Sequence, residues 1–254
     1  MEVVQINGIQ QAYTRAGQGE PLVLVHGYPL DHTIWYDMVS FLEDDFTLIL
    51  PDLRGFGLSG ISEAQYEIAD VASDIAGLLD HLGVEKTYIA GHSMGGYVAL
   101  AFARRYPQRV LGLGLISTQA PADTLERKQG RYAAAEEILK NGVQPVAESM
   151  PGKLTPDERV QAFVHSLIVA QRPAGLAGAL RAMAERDDST SALSSFEFPV
   201  VVIHGEADEL IPIQRALEVN AAISHATLME ISGVGHMPMM ENPQATAATL
   251  KSLL

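Results

Sequence analysis

Short runs of continuous apolar residues alternate along the chain with longer stretches in which apolar positions recur every three or four residues. Leu22-Val23-Leu24-Val25 and Phe46-Thr47-Leu48-Ile49-Leu50 end at Gly or Pro signals, the pattern of strands buried on both faces. Val3 to Ile6 and Gln10 to Ala16 predict two opening strands, and Thr87 to Ala90, Val110 to Ile116, Val200 to Ile203 and Thr227 to Ile231 complete a set of eight. Helical patterns fill the gaps. Val71, Ile75, Leu78, Leu79 and Leu82 make one apolar stripe closed by Gly83, and Asn242-Pro243 opens the last helix with a cap and a first-turn proline. This alternation predicts an α/β fold, an eight-stranded mostly parallel sheet with helices on both faces.

Between about Ala120 and Phe196 the strand-like runs stop and Ala-rich helical patterns take over. The expected organisation is therefore a core of residues 1–119 and 197–254, with residues 120–196 inserted as a helical cap. The best-marked helix of the insertion is read from Thr155-Pro156-Asp157-Glu158, a capping box with proline in the first turn. It carries Val160, Phe163, Val164, Leu167 and Ile168 on one face. That stripe packs against something; only the position of the insertion argues for a cap over a pocket.

Composition narrows the possible partners. With 254 residues, 47% of them hydrophobic, the chain can bury one substantial core. A formal charge of -14 opposes binding to nucleic acid or to an anionic membrane, because both need clustered cations. There is no cysteine, which excludes disulfides and thiolate metal sites and suits a reducing compartment. No secretory leader and no apolar run long enough to cross a bilayer is evident, so a soluble cytoplasmic protein is expected.

The strongest chemical signal is Gly91-His92-Ser93-Met94-Gly95, which follows one predicted strand and opens an apolar helix running to about Tyr106. A serine hydroxyl is a weak nucleophile unless it is exposed, near a base and near amide N–H groups that can stabilise an oxyanion. A tight strand-to-helix turn supplies the exposure, and Gly91, Gly95 and Gly96 let the chain pass closely. His236, in Gly233-Val234-Gly235-His236-Met237-Pro238, follows the last strand and is the candidate base, since an imidazole can take and return a proton near neutrality. The loop after Val200 to Ile203 offers Glu206, Asp208 and Glu209 as partner acids. Of the other histidines, His26 reads as ordering its own loop, His32, His92 and His204 as structural supports, and His81, His165 and His225 as surface or helix-end residues. None makes a metal-ligand pattern, so neither metal nor cofactor is expected.

Four segments together resemble the α/β-hydrolase superfamily: the Ser93 turn, His26-Gly27-Tyr28-Pro29, Asp52-Leu53-Arg54-Gly55-Phe56-Gly57-Leu58-Ser59, and the late acid and histidine. The resemblance implies a triad of Ser93, Asp208 and His236, because the family pattern of an aspartate before an apolar pair and Pro fits Asp208. Asp123 is the runner-up, since some relatives take the acid from the earlier strand end. It also implies an oxyanion hole from the backbone N–H groups of Tyr28 and Met94, and a structural role for Arg54. Met237, which follows the base, and Phe163 and Leu167 on the insertion are the expected pocket residues. A serine at position 93 argues against the dehalogenase and epoxide hydrolase branches, which use a carboxylate there. The implied activity is hydrolysis of a small carboxylic ester, near the enol-lactonase and cofactor-free haloperoxidase branches. Lactone, thioester and carbon–carbon hydrolysis, perhydrolysis, and a small-molecule receptor of the same fold are the alternatives.

Overall fold

A computed structural model describes residues 1–62 and 64–254. Among them, eight strands form one sheet: β1 (Glu2–Ile6), β2 (Ile9–Ala16), β3 (Glu20–Val25), β4 (Phe46–Pro51), β5 (Thr87–His92), β6 (Val110–Ile116), β7 (Val200–Gly205) and β8 (Thr227–Ile231). Their spatial order is β1-β2-β4-β3-β5-β6-β7-β8. The pairs β1–β2 and β2–β4 are antiparallel and all others parallel, as the alternation of runs predicts.

Successive side chains of a strand point to opposite faces, and here both faces are covered. Val23, Val25, Val200 and Val202 enter one apolar cluster, whereas Leu22, Leu24, Val201 and Ile203 enter the other. The helices are α1 (Tyr36–Leu42), α2 (Ile68–His81), α3 (Met94–Arg105), α4 (Leu125–Asn141), α5 (Gln144–Ser149), α6 (Pro151–Leu154), α7 (Glu158–Ala170), α8 (Pro173–Ala184), α9 (Gln214–Ala222), α10 (Pro238–Glu241) and α11 (Pro243–Lys251). The first cluster takes the buried faces of α2, α3, α4 and α8; the second takes those of α1, α7 and α11. In α2 the stripe Val71, Ile75, Leu78 and Leu79 is buried, each aliphatic side chain contributing about 1.5–3 kcal/mol relative to exposure. Gly83 follows that helix at φ 68°, a left-handed backbone that favours glycine.

Five helices, α4 to α8, lie between β6 and β7 and pack onto both clusters. One expectation is corrected there. Thr155 does not cap α7: its backbone is extended, its hydroxyl accepts the Asp157 N–H, and the Asp157 carboxylate accepts the N–H groups of Arg159 and Val160. The helix starts two residues later than a Thr155 cap implies, because Asp157 satisfies two of its open donors. Among the described residues no helix is long and apolar enough to cross a membrane.

Candidate active site

Ser93 lies between β5 and α3 with φ 52° and ψ -113°. A non-glycine residue at positive φ is strained, so the surroundings must hold it there. Ser93 N–H donates to the Ile116 carbonyl at 2.9 Å, and the Thr118 hydroxyl donates to the Ser93 carbonyl at 2.8 Å. Glycine makes the reversal possible: a Cβ on Gly91 would collide with the Gly95 carbonyl, and one on Gly95 with the Val25 carbonyl. The turn leaves Ser93 partly exposed above the carboxyl end of the sheet.

Neighbouring strands deliver the rest of the site. In the register, Val25 at the end of β3 is opposite Gly91 in β5, so the loop holding Tyr28 emerges beside Ser93. This is where strand order reverses, the usual crevice of an open parallel sheet. The buried His26 ring orders that loop. Its Nε2 accepts the Leu53 N–H at 2.9 Å, which leaves the proton on Nδ1 to donate to the Gly27 carbonyl at 3.0 Å. The Tyr28–Pro29 peptide is cis. Neither the Tyr28 nor the Met94 N–H finds an acceptor among the described residues, as an oxyanion hole requires.

The chain after β7 and β8 brings Asp208 and His236 together, with Asp208 Oδ2 2.6 Å from His236 Nδ1. The other Asp208 oxygen accepts the N–H groups of Leu210 and Ile211 at 2.9 and 3.0 Å. Burial pushes the Asp208 carboxyl up, but the hydrogen bond and charge of His236 and the Ile211 N–H outweigh it, so its pKa falls below the ordinary value. An ionised acid at Nδ1 fixes the proton there and leaves Nε2 as the acceptor. His204 supports the acid: its Nε2 donates to the Ile211 carbonyl at 2.8 Å and lies 3.4 Å from Asp208 Oδ2.

The backbone of His236 is held at both ends. Its N–H donates to the carbonyl of Leu154, the last residue of α6, at 2.7 Å. Its carbonyl accepts from Nε2 of His92, the fully buried residue before Ser93, at 2.8 Å. The rings of His92 and His236 are 4.8 Å apart, and a Cβ on Gly27 would abut His92 Nδ1. One imidazole thus touches the serine turn, the histidine loop and the oxyanion loop. Sequence alone marks His92 as a support; nothing in it points to Leu154.

The competing acids have other surroundings. Glu206 and Glu209 are exposed. Asp123 is buried among guanidinium groups, bonded to Arg131 and 2.7 Å from Arg186 Nη1. Arg54 makes a two-pronged pair with buried Asp74, 2.7 Å in each arm, the structural role expected of it. For a cation, Asp31, His32 and Asp52 offer atoms within 4.8 Å of one another. Those atoms are in use. His32 Nδ1 bonds Asp52 at 2.6 Å and Nε2 bonds the Tyr36 hydroxyl, while Asp31 caps the turn at His32–Trp35.

A cavity of about 320 Å³ opens beside Tyr28, lined also by Arg131, Ile138, Val146, Met150 and Leu180 from the inserted helices. Met237, Phe163 and Leu167 are not among its lining residues. Met237 is fully buried in the second apolar cluster, and Phe163 and Leu167 pack half-buried against that cluster. The α7 stripe faces the core because Val160, Val164 and Ile168 anchor it there.

A family model described as the alpha/beta hydrolase fold matches residues 20–243. The chain belongs to the α/β-hydrolase fold family. Among solved structures, a thermophilic esterase from Thermogutta terrifontis, with malate bound, is 36% identical with a TM-score of 0.96. That match covers 99% of this chain and 97% of the esterase. The enol-lactonase from Burkholderia xenovorans LB400, 23% identical with a TM-score of 0.92 over 99% of both chains, shares the fold. The pyrrolizixenacetamide deacetylase of Xenorhabdus hominickii is 27% identical over 266 residues, spanning 100% of this chain and 98% of that protein. Family membership and the likeness to an esterase support a hydrolase.

Proposed function

We propose that this α/β-hydrolase cleaves small carboxylic esters through an acyl-enzyme, with Ser93 as nucleophile, His236 as base and Asp208 as orienting acid. The observation that carries the reading is the 2.6 Å bond between Asp208 and His236 Nδ1, made at the sheet edge where Ser93 stands on its strained turn. Ser93 Oγ attacks the ester carbonyl while its proton passes to His236 Nε2. The carbonyl electrons move onto oxygen, where the N–H groups of Tyr28 and Met94 receive the charge. Collapse expels the alcohol, which takes the proton from His236. Water, deprotonated by the same nitrogen, then attacks the acyl-serine, and release of the acid restores the hydroxyl.

The helices of residues 120–196 act in this reading as a cap over the acyl and alcohol sites. The test is a steady-state screen of nitrophenyl esters of rising acyl length beside lactones and thioesters, with Ser93→Ala as control. Catalytic cycling on short esters, lost in Ser93→Ala and indifferent to chelators, is the expected result. Cycling on lactones or thioesters alone would move the substrate class, and a single slow turnover would favour a receptor.

A further inference from the structure

Arginine is concentrated where the cavity beside Tyr28 meets the inserted helices. Arg131, Arg186 and Arg127 surround one carboxylate, that of Asp123, whose pKa Arg131 and Arg186 hold low against its burial. Three guanidiniums gather there in a chain whose net charge is -14. The three are not equivalent. Arg186 is almost fully buried, bonded to the carbonyls of Met183 and Pro121 and stacked 4.1 Å over the Tyr97 ring. Its charge is committed to the fold. Arg127 is 3.6 Å from Asp123, with a side chain 45% exposed. Arg131 lies between them and lines the cavity it shares with Tyr28.

The fork of Arg131 is only partly used. Its Nε bonds Asp123 and its Nη1 meets the Met183 sulfur at 3.4 Å, while Nη2 makes no hydrogen bond to any described residue. Arg131 and Tyr28 line the same cavity, which places the guanidinium on the side of the oxyanion loop. Arg131 also borders a second, open cavity of about 520 Å³ that reaches Arg127 and the cap surface. Glu137, the other charged residue lining the inner cavity, is exposed and accepts from Asn141. Water screens its charge more than that of the largely packed Arg131.

Resting on the esterase reading above, we infer that Arg131 is a specificity-determining residue that binds a carboxylate on the substrate, the preferred substrates being small esters with a carboxylate a few carbons from the reacting carbonyl. A guanidinium with one arm fixed and one arm open is preorganised for such a group, and the apolar Ile138, Val146, Met150 and Leu180 hold the linking carbons.

The experiment compares kcat/KM by pH-stat for two matched pairs. Methyl pentanoate against monomethyl glutarate places the carboxylate on the acyl side; propyl acetate against 3-acetoxypropanoate places it on the alcohol side. The native protein should favour the charged member of at least one pair by about tenfold or more. Arg131→Met should lower that preference by about 10- to 100-fold with the neutral ester little changed, and Arg131→Lys should restore part of it. A native preference for the neutral ester in both pairs, or a charged preference that survives in Arg131→Met, overturns the assignment. Should Arg131→Met fail to fold, the native ratios and Arg131→Lys still decide. Absence of turnover on all four esters would strike the esterase reading itself.

Discussion

Replacing His92 by leucine removes the donor that holds the His236 carbonyl. The lost bond is 2.8 Å long, and His236 is 1% exposed, so water cannot replace the donor. Leaving a buried acceptor unpaired costs about 1–3 kcal/mol. Part of this is offset, because His92 Nδ1 is itself a buried atom without a partner, and leucine removes it. A net loss of about 1–2 kcal/mol remains, which for a chain of this length lowers Tm by roughly 2–8 °C. The effect on turnover should be larger than that loss suggests. The released carbonyl belongs to the proposed base, so kcat should fall about tenfold or more while KM changes little, as for an interaction that matters mainly in the transition state. Glutamine can place an amide N–H where Nε2 stood, and His92→Gln should recover most of both losses. Thermal melts and ester kinetics on the two variants measure this. Unchanged Tm and kcat in His92→Leu, or a glutamine variant no better than leucine, would refute a positioning role for His92.

Asp208→Asn should keep the fold and KM but cut kcat by roughly a thousandfold or more, because the amide no longer stabilises the proton on Nδ1. Asp123→Asn should instead lower Tm, by the equivalent of about 3–5 kcal/mol, and spare the kcat of folded molecules, since it breaks a buried ion pair without touching His236. Collapse of kcat in Asp123→Asn at unchanged Tm would reverse these assignments. Gly95→Ala should abolish expression of folded protein or its activity, because the added methyl meets the Val25 and His26 carbonyls; full activity in this variant would contradict the tight turn. Burial lowers the pKa of His26, His92 and His204 below 6.5, so the unfolded chain takes up protons first as pH falls. The stability these neutral rings contribute is complete above pH 6.5 and is lost as pH falls toward their folded values, at up to about 1.4 kcal/mol per pH unit for each ring. Denaturant melts between pH 7 and pH 5 should show that decline, shallower in His92→Gln, and a flat profile would contradict it.

The sheet and the Ser93 turn were legible because their signals are local. A strand buried on both faces reads as a continuous apolar run, and the glycines around Ser93 are required by contacts only a few residues away in sequence or one strand away in space. His236 and Asp208 were legible by position and family pattern, both following strands of the same sheet edge. The start of α7 was not. Thr155-Pro156-Asp157-Glu158 contains two overlapping cap signals, and the backbone decided for Asp157, whose carboxylate reaches two N–H groups. The lining of the cavity beside Tyr28 was least legible. Met237 adjoins the base in sequence, yet its side chain turns into the core, whereas Arg131 reaches the Tyr28 cavity through the packing of helices far along the chain. The anchoring of His236 by Leu154 is equally nonlocal.

Ser93 is proposed to form the covalent intermediate. The most direct measurement is reaction of the native protein with a fluorophosphonate, followed by peptide mass mapping and parallel assay of ester hydrolysis. One adduct per chain is expected, on Ser93, forming at the rate at which activity disappears, with no adduct in Ser93→Ala or, at matched times, in His236→Ala. Loss of activity with Ser93 unmodified, or full activity with Ser93 fully modified, would contradict it.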